Sequence, residues 1–332
     1  MPRIPDELLD CVIYLYPTVE AAEQGARAGG SGFLVSVSMD GIDTPAIYAV
    51  TNSHVVREGK SPVIRLNTQD GTKKVIDIVS DQWFHHPDGD DVTICPLGLK
   101  TDDLYRFHAL PCGEWLLSEE AIADANIGPG DDVFIIGRFV NHEGNQRNLP
   151  VVRFGSIAMM PYEPIKHQRG IDVESYLIEA RSLSGFSGSP IFLYIPPFSL
   201  RDTWWTPDKS GVPTTESISF GLLGIDSGHF TDYKRVLDKD KKPRIGNEES
   251  YVEQNSGIMT VVPSWKLGEL LENPEVVRMR RQWRDEEVER QRREPAATLD
   301  VALTDDEFAN FKKLASQIVQ VPKSEIDEKR KK

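Results

Sequence analysis

Three residues that lie far apart in the sequence, His54, Asp91 and Ser187, have the side-chain types that nucleophilic catalysis requires. A serine hydroxyl is a weak nucleophile at neutral pH and needs a neighbouring base to take its proton. A histidine, with an ordinary pKa of about 6.5, can take that proton and later return it. A carboxylate on the second ring nitrogen would fix the tautomer of the imidazole. The three residues therefore predict acyl-transfer chemistry, with Ser187 as nucleophile, His54 as base and Asp91 as the orienting group.

The run Gly185-Phe186-Ser187-Gly188 suits a nucleophilic serine because glycine permits a tight turn and a close approach of substrate. Such a turn can aim the backbone N–H groups of Gly185 and Ser187 at one point. An oxyanion that forms on the attacked carbonyl would lie at that point and accept both hydrogen bonds. Taken alone, the string is more typical of an ordinary turn between two strands.

The histidine and the aspartate both adjoin apolar, strand-like runs. His54 follows one such run, and it could also be a buried histidine bonded to a backbone carbonyl. Asp91 enters the alternating run Val92–Ile94, whereas its rivals Asp88 and Asp90 lie in a segment that resembles a solvated turn. The chain order His, Asp, Ser is the order of the chymotrypsin type of triad.

Five motifs in this order resemble the trypsin/chymotrypsin-like serine peptidase superfamily, and most closely its disulfide-free bacterial HtrA (Deg) branch. They are Gly30–Val35, Thr51–Val55, Asp91–Ile94, Gly185–Pro190 and Gly257–Pro263. The resemblance implies an all-β fold of two six-stranded antiparallel Greek-key barrels, with the triad in the crevice between them and helices at the C-terminal end. Phe186 replaces the aspartate that receives a freed N-terminus in the chymotrypsin branch, which argues against that activation route. No PDZ-like region follows.

The resemblance also indicates candidate substrate-binding residues. Arg181 lies six residues before the serine, at the base of the family's primary specificity pocket, where it could favour an acidic side chain. Alternatively, Arg181 pairs with Glu179 or points to solvent. The other candidates are Ser184 and the end of a strand that resembles the one pairing with substrate backbone, namely Asp226, Ser227 and Gly228.

The domain organisation predicted from the pattern of short strands and later helices has three parts. Residues 9–265 form the peptidase domain, with barrels at about 9–115 and about 130–265. Residues 266–294 form a helical extension, and residues 295–332 form a short helix and a polar tail. Two long irregular stretches, 196–217 and 230–255, are expected to be surface insertions or to shape the cleft.

The C-terminal helices offer two apolar faces as candidate docking surfaces for a protein partner. One helix is expected at Ser264–Leu271 with Ser264 as its cap, and a second at Pro274–Arg293. The second helix carries a narrow apolar seam, and a later helix carries a face within Phe308–Ile318. Either face could instead pack on the chain's own barrel. The seam consists of Val276, Met279 and Trp283.

The composition of the 332 residues narrows the classes of partner and location. Acidic residues outnumber basic ones, 52 against 38, which argues against nucleic acid as a partner. Three widely spaced cysteines, without a C-x-x-C motif, argue against a disulfide framework or a zinc site and favour a reduced cytoplasm. No apolar run approaches the roughly 20 residues of a membrane helix, and the first residues contain no signal-like apolar core. We therefore expect no metal, no cofactor and no membrane contact.

Two functions of different class follow from these residues. The first is a serine endopeptidase that hydrolyses proteins or peptides through an acyl-enzyme. The second is a regulated or inactive protease-fold scaffold, or effector, that binds a protein partner. An esterase or lipase would need its serine at a sharp elbow between a strand and a helix, whereas Ser187 precedes a strand-like run.

Overall fold

A computed structural model describes residues 3–99, 104–139, 144–166, 172–180, 185–195, 220–236 and 251–293. The chain divides into two compact units, residues 1–284 and 285–332. The described strands are β1 (Val12–Tyr16), β2 (Gly30–Met39), β3 (Ile42–Thr51), β4 (Val63–Thr68), β5 (Lys73–Ile76), β6 (Phe84–His85), β7 (Thr93–Leu97), β8 (Tyr105–Arg106), β9 (Leu110–Pro111), β10 (Asp132–Gly137), β11 (Val151–Met159), β12 (Ile165–Lys166), β13 (Asp172–Val173), β14 (Tyr176–Glu179), β15 (Pro190–Tyr194), β16 (Phe220–Arg235) and β17 (Tyr251–Pro263).

The helices are short except near the C-terminal end of the first unit. Those described are α1 (Asp6–Leu9), α2 (Val19–Gln24), α3 (Ser53–Arg57), α4 (Cys112–Trp115), α5 (Glu119–Asp124), α6 (Ser264–Leu271) and α7 (Pro274–Arg293), with one 3-10 turn at Ser80–Gln82. None of these helices is long and apolar enough to cross a membrane. The three cysteines, Cys11, Cys95 and Cys112, form no disulfide.

The N-terminal half forms one sheet with the strand order β5-β4-β1-β2-β3-β7-β6, to which the short strands β8 and β9 are added at β4 and β2. Six of these strands have four or more residues. Side chains alternate between the two faces of a strand, and both faces are covered here. Ile13 and Leu34 therefore lie in one buried core, whereas Tyr14 and Phe33 lie in another.

The C-terminal half of the domain is a closed barrel of six strands in the order β10-β11-β14-β17-β16-β15. Its inward side chains form a separate core that includes Ile135, Ile178, Leu193 and Val261. A closed barrel leaves no strand edge unpaired, so the backbone polar groups of these strands bond to one another. The two halves together confirm the predicted all-β, trypsin-like two-barrel fold.

The largest buried core belongs to both halves of the domain. It contains Phe33 and Val50 from the first sheet together with Phe134 and Phe192 from the closed barrel. The rings of Phe134 and Phe192 stack with their centroids 5.0 Å apart. Because both barrels contribute to one apolar core, the two barrels pack against each other, which gives the residues at their junction fixed positions.

The two C-terminal helices have the predicted bounds, but the predicted cap of α6 is wrong. Pro263, not Ser264, is the N-cap residue of α6, and buried Ser264 donates its hydroxyl to the Leu117 carbonyl oxygen at 2.7 Å. Of the two alternatives for the apolar seam of α7, the structure shows packing on the chain's own core: Val276 is fully buried, and both Met279 and Trp283 pack on the shared core. The face within Phe308–Ile318 lies outside the described residues.

The stretch 230–255 is not wholly irregular, as the sequence had led us to expect. Strands β16 and β17 continue past the barrel as a paired arm, from Thr231 opposite Asn255 to Arg235 opposite Tyr251. The stretch 196–217 lies outside the described residues. The predicted division of the chain at residues 265 and 294 stays a prediction.

A buried arginine anchors the loop between β10 and β11 to the first sheet. Arg65 is fully buried, and its guanidinium lies 4.8 Å from the centroid of the Tyr16 ring. The Arg65 guanidinium donates to Asn148 Oδ1 at 2.7 Å and to the Gly144 carbonyl oxygen at 3.0 Å. Guanidinium bonds of this kind offset part of the cost of removing the charge from water.

Replacing Arg65 by methionine should lower the free energy of unfolding by about 3 kcal/mol, because the carbonyl and amide groups around it would lose their donor inside the protein. Urea denaturation measures this change. The control is Arg106→Met, since Arg106 is half-exposed and its pair with Asp10 should contribute at most about 1 kcal/mol. Equal losses in the two variants would contradict the anchoring role of Arg65.

Candidate active site

The pairing of β3 with β7 brings His54 next to Asp91. Thr51 at the end of β3 lies opposite Thr93 in β7, so the residues that follow Thr51 meet those that precede Thr93. Asn52 Nδ2 donates to the Asp91 carbonyl oxygen at 2.8 Å, and Ser53 Oγ donates to the Val92 carbonyl oxygen at 3.0 Å. His54 is the second residue of α3, a single helical turn rather than the strand end that its sequence context had indicated.

Both oxygens of the Asp91 carboxylate contact His54. Asp91 Oδ2 lies 2.6 Å from His54 Nδ1, and Asp91 Oδ1 accepts from the His54 backbone N–H at 3.0 Å. The two side chains are 15% and 18% exposed, so water screens their contact only partly. With Nδ1 bonded, Nε2 is the ring nitrogen available to exchange a proton with a reacting group.

The rival carboxylates of the sequence occupy other positions. Asp90 Oδ2 lies 3.2 Å from Nδ1 of His86, so this carboxylate faces His86 and not His54. Asp88 is exposed, in the turn that the sequence indicated. Of the three aspartates, Asp91 is therefore the one bonded to His54.

The serine lies in a turn that only glycine can form, directly before β15. Gly185 and Gly188 have φ angles of +95° and +85°, in the left-handed region that glycine favours. A Cβ atom on Gly188 would lie 2.1 Å from the Ser31 carbonyl oxygen and 2.3 Å from Thr51 Oγ1. The turn is therefore pressed against the ends of β2 and β3, close to the residues that carry His54.

Ser31 fastens this turn to the first sheet, a role that the sequence analysis missed. Its backbone N–H donates to the Ser187 carbonyl oxygen at 2.9 Å, and its buried hydroxyl donates to the Gly185 carbonyl oxygen at 3.1 Å. The same hydroxyl accepts from the Arg138 backbone N–H at 3.0 Å. The only signal in the sequence was a serine between two glycines, Gly30 and Gly32, at the start of a strand.

The serine turn and α3 both lie close to Gly30 of β2. A Cβ atom on Gly30 would lie 2.9 Å from Val55 Cγ2, next in sequence to His54, and 3.0 Å from the Ser187 carbonyl oxygen. Ser187 itself is half-buried. Within the described ranges, no hydrogen bond joins its hydroxyl to His54.

The candidate substrate-binding residues fall into two groups. Arg181 and Ser184 lie outside the described residues. The segment of β16 with Asp226, Ser227 and Gly228 lies beside the serine turn: Gly188 N–H donates to the Asp226 carbonyl oxygen at 2.8 Å. The Asp226 carboxylate accepts from Gly228 N–H at 2.9 Å, and the Ser227 hydroxyl lies 3.2 Å from Thr260 Oγ1. The two side chains are buried, so they support the turn from inside the protein.

Comparison with known families adds a decisive match. Residues 30–194 match the family model of the trypsin-like peptidase domain, about half of the chain, and this range includes His54, Asp91 and Ser187. The chain carries a trypsin-like peptidase domain. No curated protein matches the chain.

Several solved protease structures resemble the trypsin-like domain. The HtrA-type protease AlgW with a decapeptide has a TM-score of 0.38 and 16% identity, over 73% of this chain and 50% of AlgW, so the chain spans half the length of that protein. Deg5 has a TM-score of 0.38 and 16% identity, over 67% of this chain and 80% of Deg5. An inactive serine-to-alanine mutant of Rv3671c from M. tuberculosis has a TM-score of 0.39 and 15% identity, over 79% of this chain and 85% of Rv3671c. Likenesses at this level carry no argument about activity.

An ion-pair cluster ties α6 of the trypsin-like domain to the loop that carries Asp91. His86 is buried, and its Nε2 lies 3.2 Å from Glu269 Oε2 while its Nδ1 faces Asp90. Lys266 Nζ lies 3.3 Å from Glu269 Oε2 and 3.4 Å from Glu174 Oε2. Burial alone would lower the pKa of Lys266, but the carboxylates of Asp90, Glu269 and Glu174 raise it overall.

His86, Asp90 and Glu269 are of the types that ligate metals, and their donor atoms lie within 4.8 Å of one another. The Lys266 ammonium lies among these carboxylates, 3.7 Å from Asp90 Oδ2 and 3.3 Å from Glu269 Oε2. The two ring nitrogens of His86 lie 3.2 Å from two different carboxylates, and neither makes a hydrogen bond within the described part of the chain.

A second histidine, His85, lies behind the His54–Asp91 pair. Its Nδ1 is 3.1 Å from Ser53 Oγ, the hydroxyl that also bonds the Val92 carbonyl oxygen. Burial, and then the charge of Arg57, lower the pKa of His85 to about 4, although Asp91 opposes this shift. His85 is therefore neutral at physiological pH and adds no second positive charge beside Asp91.

The depressed pKa of His85 predicts how stability depends on pH. Between pH 6.5 and pH 4 the unfolded chain binds a proton at His85 that the folded protein does not, so the free energy of unfolding falls as the pH falls. Replacing His85 by asparagine should make this fall shallower. Urea denaturation of both proteins at several pH values across this window measures the difference. Parallel curves for the two proteins would contradict the assignment.

Proposed function

We propose that this protein is a serine endopeptidase that hydrolyses peptide bonds through an acyl-enzyme. The observation that carries the proposal is the 2.6 Å contact between His54 Nδ1 and Asp91 Oδ2, in a trypsin-like peptidase domain whose serine turn lies against the same sheet. A free imidazole could rotate or take the wrong tautomer. Here the carboxylate holds the proton on Nδ1, so that Nε2 carries the lone pair of a general base.

In the proposed reaction, Ser187 Oγ attacks the carbonyl carbon of the scissile peptide bond while His54 Nε2 takes the hydroxyl proton. The carbonyl oxygen becomes an oxyanion, which accepts from the backbone N–H groups of Gly185 and Ser187. His54 then gives its proton to the leaving amine, and the acyl group stays on Ser187. A water molecule, deprotonated by His54, attacks the acyl-enzyme and releases the acid product.

The charge of Asp91 matters most while His54 carries both protons. Two hydrogen bonds hold the Asp91 carboxylate in place, one from the His54 backbone and one at the His54 ring. Its negative charge is little exposed, so it stabilises the imidazolium that forms in the transition state more strongly than a solvated carboxylate would. The neutral His85 nearby does not weaken this effect.

The substrate in this proposal is a polypeptide. Peptide backbone would pair with the end of the segment Asp226–Gly228, at Ser227 and Gly228, because the backbone N–H and carbonyl oxygen of Asp226 already bond Ser189 and Gly188 of the serine turn. Ser184 would line the cleft, and Arg181 would favour an acidic side chain in the primary specificity pocket through a charge-assisted bond. A reduced cytoplasm as the location belongs to the same proposal, since none of the three cysteines is cross-linked.

A regulated form of the same function has one observation in its favour. Among the described residues the Ser187 hydroxyl makes no hydrogen bond to His54, although Ser187 and Val55, the residue after His54, both lie close to Gly30. Catalytic bonds of this kind often tighten only when substrate binds. In a scaffold or effector protein the hydrogen bond between Ser187 and His54 would form only when a partner bound. The isolated chain would then show no hydrolysis.

Replacing Ser187 by alanine should abolish hydrolysis of a denatured protein substrate, with a loss of roughly 10⁶-fold in kcat if the triad acts as proposed. It should also abolish covalent labelling by a fluorophosphonate. Ser189→Ala is the matched control, because Ser189 lies in the same turn and is fully buried. Labelling that persists in Ser187→Ala would refute the assignment of the nucleophile, and an unlabelled wild-type protein would favour the scaffold function.

Two neighbouring aspartates allow a sharp test of the orienting group. Asp91→Asn should lower kcat by about 10⁴-fold, because an amide does not hold the His54 ring in the tautomer that the base requires. Asp90→Asn should lower it by less than about tenfold, since Asp90 contacts His86 and Lys266 instead. Steady-state rates on a fluorogenic peptide measure both. A larger loss in Asp90→Asn than in Asp91→Asn would overturn the assignment.

A further inference from the structure

The turn before Asp91 and the helix α6 bring the side chains of His86, Asp90 and Glu269 together. The turn is held by its own backbone. His86 N–H donates to the Val92 carbonyl oxygen at 3.2 Å, and Val92 N–H donates to the Asp90 carbonyl oxygen at 2.8 Å. Glu269 lies within α6. The three side chains therefore start from fixed backbone, as the ligands of a bound ion require.

The imidazole of His86 is a buried polar group without a hydrogen-bond partner. Its side chain is 1% exposed, and neither ring nitrogen makes a hydrogen bond within the described part of the chain. Each nitrogen lies 3.2 Å from a carboxylate oxygen, Nδ1 from Asp90 and Nε2 from Glu269. This separation is short enough for a hydrogen bond, so the nitrogens and oxygens are misaligned for one. Unsatisfied buried polar groups are rare in folded proteins, and a missing ion is one explanation for them.

The separations within the cluster match those between ligands of one metal ion. Zinc binds imidazole nitrogen and carboxylate oxygen at about 2.0 to 2.2 Å, so neighbouring ligands of a tetrahedral zinc ion lie about 3.4 Å apart. In such a pair each donor atom points at the ion and not at the other ligand, so no hydrogen bond joins the two. One donor atom from each of His86, Asp90 and Glu269 lies within 4.8 Å of the others.

The carboxylates of the cluster also carry more negative charge than the single ammonium among them offsets. Lys266 Nζ lies 3.3 Å from Glu269 Oε2 and 3.4 Å from Glu174 Oε2. It is 3.7 Å from Asp90 Oδ2, which is too long for a hydrogen bond. Within the described residues the Asp90 carboxylate accepts no hydrogen bond, although it is only 15% exposed. A divalent cation would supply positive charge at Asp90 and Glu269, while Lys266 would keep its contact with Glu174.

We propose that His86, Asp90 and Glu269 bind a divalent transition-metal ion, and that zinc suits this donor set best. The imidazole favours zinc over magnesium and calcium, which take oxygen ligands. Water would complete the coordination, as it does in zinc sites with three protein ligands. The ion would join the loop that carries Asp91 to α6. The expectation of no metal came from the spacing of the cysteines, which carries no information about ligands that only the fold brings together.

Zinc binding can be measured by isothermal titration calorimetry on the full chain after treatment with a chelator. Ser187→Ala serves as the parent protein, so that self-cleavage does not interfere and the result does not depend on the proposed activity. Glu269→Gln should weaken binding of one zinc ion by at least about a hundredfold, since it removes a direct ligand. Glu272→Gln is the matched control, because Glu272 ends the same helix and contacts Arg280 instead. It should leave zinc binding unchanged.

No zinc binding to the parent protein would overturn the proposal. Equal zinc binding by Glu269→Gln and Glu272→Gln would also overturn it, because the ion would then lie elsewhere in the chain. Magnesium binding as tight as that of zinc would contradict the part assigned to the imidazole. Thermal melting without metal checks that both variants fold as the parent does.

Lys266→Gln distinguishes a metal site from a cluster of ion pairs alone. If zinc takes the place of the ammonium, removal of the ammonium should tighten zinc binding by about threefold or more, and zinc should then raise the melting temperature further. Lys74→Gln changes the net charge equally on β5, where Lys74 is exposed, and should alter zinc affinity by less than about twofold. Unchanged or weaker zinc binding in Lys266→Gln would contradict the proposal.

Discussion

The close approach of Gly188 to Ser31 and Thr51 is the contact on which the rest of the site depends. His54 and Asp91 belong to the first sheet, whereas Ser187 belongs to the closed barrel, so the two parts meet only if the barrels are held in register. The missing side chain at Gly188 lets the backbone of the serine turn lie directly on β2 and β3. Ser31 then bonds the carbonyl oxygens of Gly185 and Ser187 in the turn. The shared apolar core holds the two barrels in one relative position.

The neighbouring residues Asp90 and Asp91 contact different parts of the domain. Asp91 bonds the ring and the backbone of His54, while Asp90, one residue earlier, lies 3.2 Å from His86 Nδ1 and 3.7 Å from Lys266 Nζ. The loop is therefore held from two sides, by the proposed catalytic histidine and by the cluster on α6. Glu174 belongs to the same cluster through its contact with Lys266 Nζ at 3.4 Å.

Sequence reasoning predicted those features that depend on neighbours in the chain. The period-two runs gave the barrel strands, and the charged run Pro274–Arg293 gave α7 with its observed bounds. The continuation of β16 and β17 as an arm was missed, because charged and polar residues hide a strand whose pairing is set by the adjoining barrel. The Ser31 bond to Gly185 and the contact of Glu269 with His86 were missed because each joins segments more than 100 residues apart. Only tertiary structure brings such groups together.

The closed barrel also has a consequence for the time course of folding. Strand β15, which follows the serine turn directly, completes the barrel by pairing with β10, more than 50 residues earlier in the chain. Contacts between segments so distant form slowly, because the entropy of the intervening chain must be lost first. Ser187 and His54 therefore come together late in folding. Under the proposed function, a newly made or partly folded chain would not cut its neighbours, and proteolysis would be confined to the finished molecule.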